Sequence, residues 1–198
     1  ATKINTVSPS FRNEAMHQDK GFSLDGMLRY REKDFSGILN GIDDQVFNPE
    51  IDPYLTKNYT VKNIVSGKKE NKKALFKDFD FGEDKQLFSY IGRLSSQKGI
   101  HFFQHTLENF LEHADVKVFL MGSGNSYYED FFHYLINKYP DQVRVYVGFN
   151  EQLAHRVYAA SDFFMMPSAY EPCGLGQMIA MRYGALPIVH ETGGLKDT

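Results

Sequence analysis

From about residue 66 onward, short apolar runs alternate with longer segments whose apolar side chains return every three or four positions. The runs at 86–91, 116–121, 143–147, 163–166 and 186–189 read as strands, and the segments near 68–78, 98–112, 126–138, 151–160 and 174–183 as helices. In the second of these helices Ile100, Phe103, Leu107, Phe110 and Leu111 share one face. Strand, turn and helix repeated in this way demand parallel strands joined by right-handed crossovers. The expected fold class is therefore α/β, a Rossmann-like parallel sheet with flanking helices, half of a doubly wound architecture. No long-period repeat interrupts it.

The first sixty-odd residues are more mixed. A short strand near 4–8 is expected to be buried, followed by a helix starting at Ser10, a second helical stretch near 25–31 and a strand at 35–39. Asn40-Gly41 reads as a tight turn, and Asn48-Pro49 and Asp52-Pro53 as irregular backbone. Lys62, Lys68, Lys69, Lys72 and Lys73 suggest a solvated linker running into the first helical face. A boundary is placed here, giving units 1–65 and 66–198. The strand near the start has no element before it, and Gly193-Gly-Leu-Lys-Asp-Thr198 stops in what reads as a turn into another helix. Both ends are thus expected to be cuts in a larger protein.

Composition narrows the chemistry. At 42% hydrophobic and 24% charged residues the chain is one that folds. The 12 Tyr and 17 Phe, with no Trp, are expected mostly in the core. A formal charge of −3 gives no general attraction for nucleic acid or acidic membranes. Cys173 is the single cysteine, which excludes an intrachain disulfide or a thiolate-rich zinc site and suits a reducing compartment. No apolar run is long enough to span a bilayer, and the first residues do not read as a signal peptide.

In a parallel sheet, the loops that follow the strands open on one edge and can converge. Four of them carry glycine and polar residues. In Gly92-Arg-Leu-Ser-Ser-Gln-Lys98-Gly99, two cations flank a turn into a helix N-terminus, an unfavourable place for positive charge unless an anion such as a diphosphate binds there. Met121-Gly-Ser-Gly-Asn125 lacks the third glycine of a dinucleotide fingerprint and the Gly-Lys-Ser/Thr of a P-loop. Gly148-Phe149 offers a ring as a platform for a base or sugar, or else a core residue. In Glu171-Pro-Cys-Gly-Leu-Gly-Gln177, a carboxylate sits between a strand end and a Gly-rich helix start, where it can accept from sugar hydroxyls or stabilise positive charge at an anomeric carbon. Cys173 reads as a small, partly buried filler, and His101 and His105 as surface residues. His190 ends the last strand, where it would face the same cleft. The seven histidines form no tight metal-ligand spacing, and no metal is expected.

These residues resemble the starch and glycogen synthase family. The resemblance rests on ordered blocks: Asn5-Thr-Val-Ser-Pro9, Gly37-Ile-Leu-Asn-Gly-Ile-Asp43, Gly92 to Gly99, Glu171 to Gln177, Met181-Arg-Tyr-Gly184 and Glu191-Thr-Gly-Gly-Leu-Lys-Asp-Thr198. It implies the donor-binding half of a two-domain GT-B fold, with 1–65 as the tail of the first domain plus the crossover and 66–198 as most of the second. It also implies a retaining glucosyltransferase that extends an α-1,4-glucan from ADP-glucose, with UDP-glucose the alternative donor and no cofactor. On that resemblance Arg93 and Lys98 hold the diphosphate and neutralise the leaving group, and Glu171 lies by the donor glucose. Leu175 and Gly176 present backbone to the distal phosphate, Phe149 stands against the base, and Gly122 lines the same nucleotide site. Gln97 and Asn40 face the glucose or acceptor. The implied catalytic set is Glu171, Arg93 and Lys98.

The chain departs from the family pattern in three ways. Ile179 stands where related transferases carry a second glutamate, and Gly176 replaces a larger residue, which is expected to loosen that turn. The Lys-x-Gly-Gly loop and cleft histidine of the family's first domain are absent from this sequence, so the chain alone is expected not to turn over. The partners implied are a nucleotide sugar, a glucan and the remainder of the first domain, in a bacterial cytoplasm or a plastid stroma. The readings left beside this one are another nucleotide-sugar transferase or epimerase, and a non-catalytic nucleotide-binding module.

Overall fold

A computed structural model describes residues 1–198. The chain begins with β1 (Ile4–Val7), α1 (Pro9–Glu14), α2 (Asp25–Tyr30) and β2 (Phe35–Ile38). It continues with α3 (Ile64–Asp78), β3 (Leu87–Ile91), α4 (Ile100–His113), β4 (Lys117–Gly122), α5 (Ser126–Lys138) and β5 (Val143–Val147). The last elements are α6 (Glu151–Ala160), β6 (Phe163–Met166), α7 (Gly176–Arg182), β7 (Leu186–Val189) and α8 (Gly193–Asp197).

Five strands form a parallel sheet in the order β5-β4-β3-β6-β7. The chain winds outward from β3 through β4 to β5, then returns to the other side of β3 for β6 and β7. The order therefore reverses between β3 and β6, and a crevice opens at their carboxyl ends. β4, at the centre of the β5-β4-β3 half, is buried along its whole length. One face of the sheet packs on α3, α6 and α7, where Leu75, Phe76, Val157 and Tyr183 meet Leu87, Phe119 and Phe164. The other packs on α4 and α5, where Ile100, Phe103, Leu107 and Phe132 meet Tyr90, Val118 and Leu120. Over β6 and β7 this second face stays open. Phe88, Met165 and Ile188 line an apolar groove of about 540 Å³ beside Phe102, Phe103 and Phe110 of α4.

Every element expected after residue 66 is present, most within one or two residues of its expected ends. The earlier part differs more. β1 pairs in parallel with β2 alone, so its side chains are only half-buried; the expectation of a buried strand is corrected. The small core here is Ala15, Leu28 and Phe35, with Phe11 and Ile4 against it. Asn40-Gly41 is irregular backbone without a turn; the turn falls at 44–47, where the Asp43 carboxylate takes the Gln45 and Val46 N–H groups. The lysine-rich segment is not a linker. α3 begins at Ile64, after a capping box in which Thr60 and Asn63 satisfy one another's backbone. Lys68 lies against the carbonyls of Ala159 and Tyr183, and burial pulls its pKa down to about 8. Lys72 pairs with Asp84 and Asp162.

The crossover from β2 to α3 is fastened to the sheet domain by a buried polar cluster. Asp52 Oδ2 accepts from His155 Nδ1 of α6 at 2.7 Å and from the Tyr183 hydroxyl at 2.5 Å, and Asp52 Oδ1 takes the Tyr54 N–H. Phe47 stacks on the His155 ring, and Tyr54 meets it edge-on. Tyr59 donates to the Tyr183 carbonyl at 2.8 Å.

One glycine fixes the mouth of the crevice. Gly99 sits at φ 73° just before α4, and a Cβ there would lie 1.8 Å from the Pro167 carbonyl oxygen. Gly99→Ala combines left-handed strain with a backbone clash. It is expected to cost at least about 2 kcal/mol, read as a lowered urea midpoint with unchanged slope.

Candidate functional site

Loops that follow β3, β4, β5 and β6 line the carboxyl edge of the sheet. The first two are joined as if the ladder continued. Gly92 N–H donates to Met121, Leu94 N–H to Ser123 and Asn125 N–H to Leu94. A Cβ on Gly122 would lie 2.0 Å from the Gly92 carbonyl oxygen, so glycine is required for this approach. Gly92, Arg93, Gly122, Ser123, Gly148 and Phe149 line a depression of about 350 Å³. The Phe149 ring is 74% exposed at its rim, which answers the sequence ambiguity: it is not a core residue. Arg93 is exposed and pairs with no carboxylate, and its carbonyl accepts from the Tyr90 hydroxyl at 2.9 Å.

Across the switch point, the loop after β3 meets the loop after β6. Ala169 N–H donates to the Gln97 carbonyl, which ties their backbones together. Lys98 Nζ pairs with Glu171 Oε2, and the Ser168 hydroxyl donates to the same oxygen at 3.0 Å. Glu171 is buried, with the lysine largely covered beside it. A buried carboxylate needs such partners, because removal from water costs several kcal/mol per ion. The other oxygen, Oε1, accepts nothing from the protein. The Tyr90 phenol joins the two halves of the site. Burial and then the Glu171 carboxylate push its pKa well above the ordinary value, while Arg93 acts in the opposite sense.

Downstream of Glu171, Gly174 takes φ 75° and leads into α7, whose N-terminal turn carries no side-chain cap. Its first N–H groups are free for a ligand. Leu175 is exposed at that start. Gly176 is tighter than expected: a Cβ would sit 3.0 Å from the Phe164 ring, so the turn is packed and not loosened. Gln177 Nε2 donates to the Cys173 and Gly174 carbonyls. Cys173 is buried.

The sequence candidates Arg93, Lys98, Gly122, Phe149, Glu171, Leu175 and Gly176 all fall on this edge, Arg93 with Gly122 and Phe149, and Lys98 with Glu171. Gln97 contributes its backbone to the join. Asn40 is exposed in the crossover and makes no hydrogen bond to these loops. His190 Nδ1 lies 2.9 Å from the Ser168 carbonyl and borders the apolar groove. His101 is not a free surface residue, since its Nδ1 is buried without a partner. No group of three or more His, Cys, Asp or Glu side chains is placed to hold a metal ion, and no helix is long and apolar enough to cross a membrane. Sequence reasoning missed Ser168, whose serine type alone carried no signal. It also missed the hold of the amino-terminal segment on this loop. Ser8 Oγ donates to the Pro172 carbonyl at 2.7 Å, and the Glu14 carboxylate accepts from Gly193 N–H at 2.8 Å.

The family model described as glycosyl transferases group 1 matches residues 57–198. The chain is 58% identical over 201 residues to a glycogen synthase of Acholeplasma laidlawii, covering 100% of this chain and 42% of that protein. It is 48% identical over 198 residues to a glycogen synthase of Bacillus anthracis, covering 99% of this chain and 41% of that one. The chain thus spans well under half the length of these curated relatives. Among solved structures, the catalytic domain of starch synthase IV from Arabidopsis thaliana, bound to ADP and acarbose, matches with a TM-score of 0.93 and 40% identity. That match covers 100% of this chain and 41% of the other.

Proposed function

The chain belongs to the glycosyl transferases of group 1, and from that premise we propose that it is the donor half of an ADP-glucose-dependent glucan synthase. Its fold is that of the donor-binding half of a GT-B glycosyltransferase. The reaction proposed is transfer of glucose from ADP-glucose to the non-reducing end of an α-1,4-glucan, with retention at the anomeric carbon. Residues 1–65 are proposed to be the tail of the first domain with the crossover, and 66–198 the donor-binding domain. The partners proposed are a nucleotide sugar, a glucan and the rest of the first domain, in a bacterial cytoplasm or a plastid stroma.

The observation that carries this reading is the pairing at the β3/β6 switch point of Lys98 with the buried carboxylate of Glu171, with the unpaired Arg93 on the same loop after β3. Arg93 is free to hold a diphosphate, and Lys98 is shared between that diphosphate and Glu171. Oε1 of Glu171 is left to accept from a sugar hydroxyl. Phe149 stands on the Arg93 side, where a base would lie if the diphosphate bridged the two parts. A binding module would use Arg93 and Lys98 but would have no use for a buried carboxylate. The known starch synthase IV structure holds ADP and acarbose, a nucleotide with a carbohydrate, in a fold closely similar to this one.

Titrating the chain by calorimetry with ADP, UDP, ADP-glucose and UDP-glucose tests the donor half. Adenine compounds are expected to bind more tightly than uracil ones. Arg93→Ala is expected to weaken ADP by about 10- to 100-fold, the worth of a charged hydrogen bond to phosphate. Phe149→Ala removes a stacking surface worth about 1–3 kcal/mol. Equal ADP binding by the folded wild type and both variants would sink the assignment.

A further inference from the structure

Glu171 is buried on a loop, and a loop carboxylate is only as well placed as the peptides that carry it. Two consecutive carbonyls, those of Glu171 and Pro172, are each held from outside the loop. The Glu171 carbonyl accepts from Gly194 N–H at 2.9 Å. The neighbouring Gly193 N–H donates to the Glu14 carboxylate at 2.8 Å, which also takes the Thr192 hydroxyl and the Lys20 ammonium. The Pro172 carbonyl accepts from Ser8 Oγ at 2.7 Å, and that same oxygen takes Phe11 N–H. Ser10 adds a third tie, donating through both its N–H and its hydroxyl to the Asp197 carboxylate. All three ties start from α1 or the residue before it, more than 160 residues away in the chain.

Ser8 is built for this task at some cost. It is fully buried and holds φ 68°, where a side chain is strained by about 1–2 kcal/mol. Gly37 of β2 makes room for it, since a Cβ there would lie 2.1 Å from the Ser8 carbonyl oxygen. Glycine at position 8 would relieve the strain but could not reach Pro172. Gly193 is confined in the same way, with a Cβ 2.1 Å from the Glu171 carbonyl oxygen.

We infer that Ser8 is a positioning residue for Glu171, acting through the Pro172 carbonyl, with Glu14 doing the same through Gly193. This rests on the proposed transfer reaction and extends it: the amino-terminal segment sets the carboxylate of the donor half. Any motion that withdraws α1 releases the Glu171 peptide, so the site is complete only with α1 seated.

The test uses the full-length enzyme with ADP-glucose and glucan. Ser8→Gly tolerates the same backbone conformation and removes the CH2OH group, so that the bond to Pro172 and the Phe11 N–H cap are lost while the left-handed strain is relieved. It is expected to lower kcat by about 10- to 100-fold, the range of a small misplacement, with ADP affinity and thermal midpoint held. In a Glu171→Gln background the same change is expected to cost nothing further, because Ser8 acts through Glu171. Glu14→Gln serves as the second variant should Ser8→Gly fail to fold, and is read by the same criteria. A kcat within twofold of wild type overturns the inference, as does a parallel fall in ADP affinity and thermal midpoint, which marks a merely structural contact. Amide exchange at Gly194 gives a readout apart from activity. It is expected to quicken in Ser8→Gly, and unchanged protection overturns the inference even if the wild type transfers no glucose, a result that would sink the functional reading separately.

Discussion

Glu171→Gln in the full-length protein is expected to cut glucosyl transfer by about 10²- to 10³-fold, the worth of a well-placed electrostatic group in a closed site. ADP affinity should hold or tighten slightly. The geometry gives this direction. One carboxylate oxygen is occupied by Lys98 and Ser168, and the other accepts no hydrogen bond from the protein. Glutamine keeps the shape but removes the charge, so the substrate loses an anionic acceptor while Lys98 is freed from its buried pair. A lysine no longer neutralising Glu171 is more available to a diphosphate. Steady-state kinetics with ADP-glucose, alongside ADP calorimetry, separate the two effects. Transfer within threefold of wild type would remove Glu171 from the reaction. A loss of ADP binding as large as the loss of turnover would make it a ligand-binding residue instead.

The second large effect concerns stability. Asp52→Ala is expected to destabilise the protein by about 3–5 kcal/mol, the cost of removing a buried carboxylate that satisfies two buried side chains and a backbone N–H. For a chain of this size that corresponds to a thermal midpoint lower by on the order of 10 °C. The substitution strands the His155 ring and the Tyr183 hydroxyl in the interior, where His155 Nε2 already has no partner. The contribution depends on pH in a definite sense. Burial works against ionisation of Asp52, but hydrogen bonds from His155, Tyr183 and the Tyr54 N–H outweigh it and hold the carboxyl below its usual range. A group whose folded pKa is depressed stabilises above its unfolded value of about 3.9, and loses that contribution as pH falls through the folded one. Below about pH 4 the wild type should therefore lose stability more steeply than Asp52→Ala. Thermal melts followed by circular dichroism between pH 7 and pH 3 check both points. A midpoint shift under about 3 °C, or parallel acid profiles, would show that the cluster is not a stabilising tie.

What the sequence could reveal follows from how local each feature is. The strands of the main sheet were legible because each is an apolar run between turn residues and its helix repeats at a helical period. Arg93, Lys98 and Glu171 were legible because parallel topology sends the loops after β3 and β6 to one edge, so no long-range contact had to be guessed. The buried ties were not. Asp52 and His155 are 103 residues apart, Ser8 and Pro172 are 164, and no local pattern marks either pair. Lys68 and Lys72 misled for the opposite reason: a lysine-rich stretch looks solvated, yet both stems lie along the domain and their ammonium groups find carbonyls and carboxylates. The two-stranded pairing of β1 with β2 left only half-buried what its sequence suggested would be covered.

On the proposed function, the joined backbones of the loops after β3 and β4 bear on how quickly a nucleotide would be captured. Gly92, Leu94 and Asn125 are locked to the neighbouring loop by main-chain bonds of the same kind as those inside the sheet. A ligand landing between Arg93 and Phe149, as proposed, would meet loops already held by main-chain bonds, so that little ordering entropy would be lost on arrival. Lys98 and Glu171 are different on that proposal, because their charge pair would have to be shared out again once a diphosphate came near. Under the proposed function, encounter and commitment would fall to separate parts of one crevice: a loop pair fixed by main-chain bonds, and a charge pair that rearranges once the guest has been received.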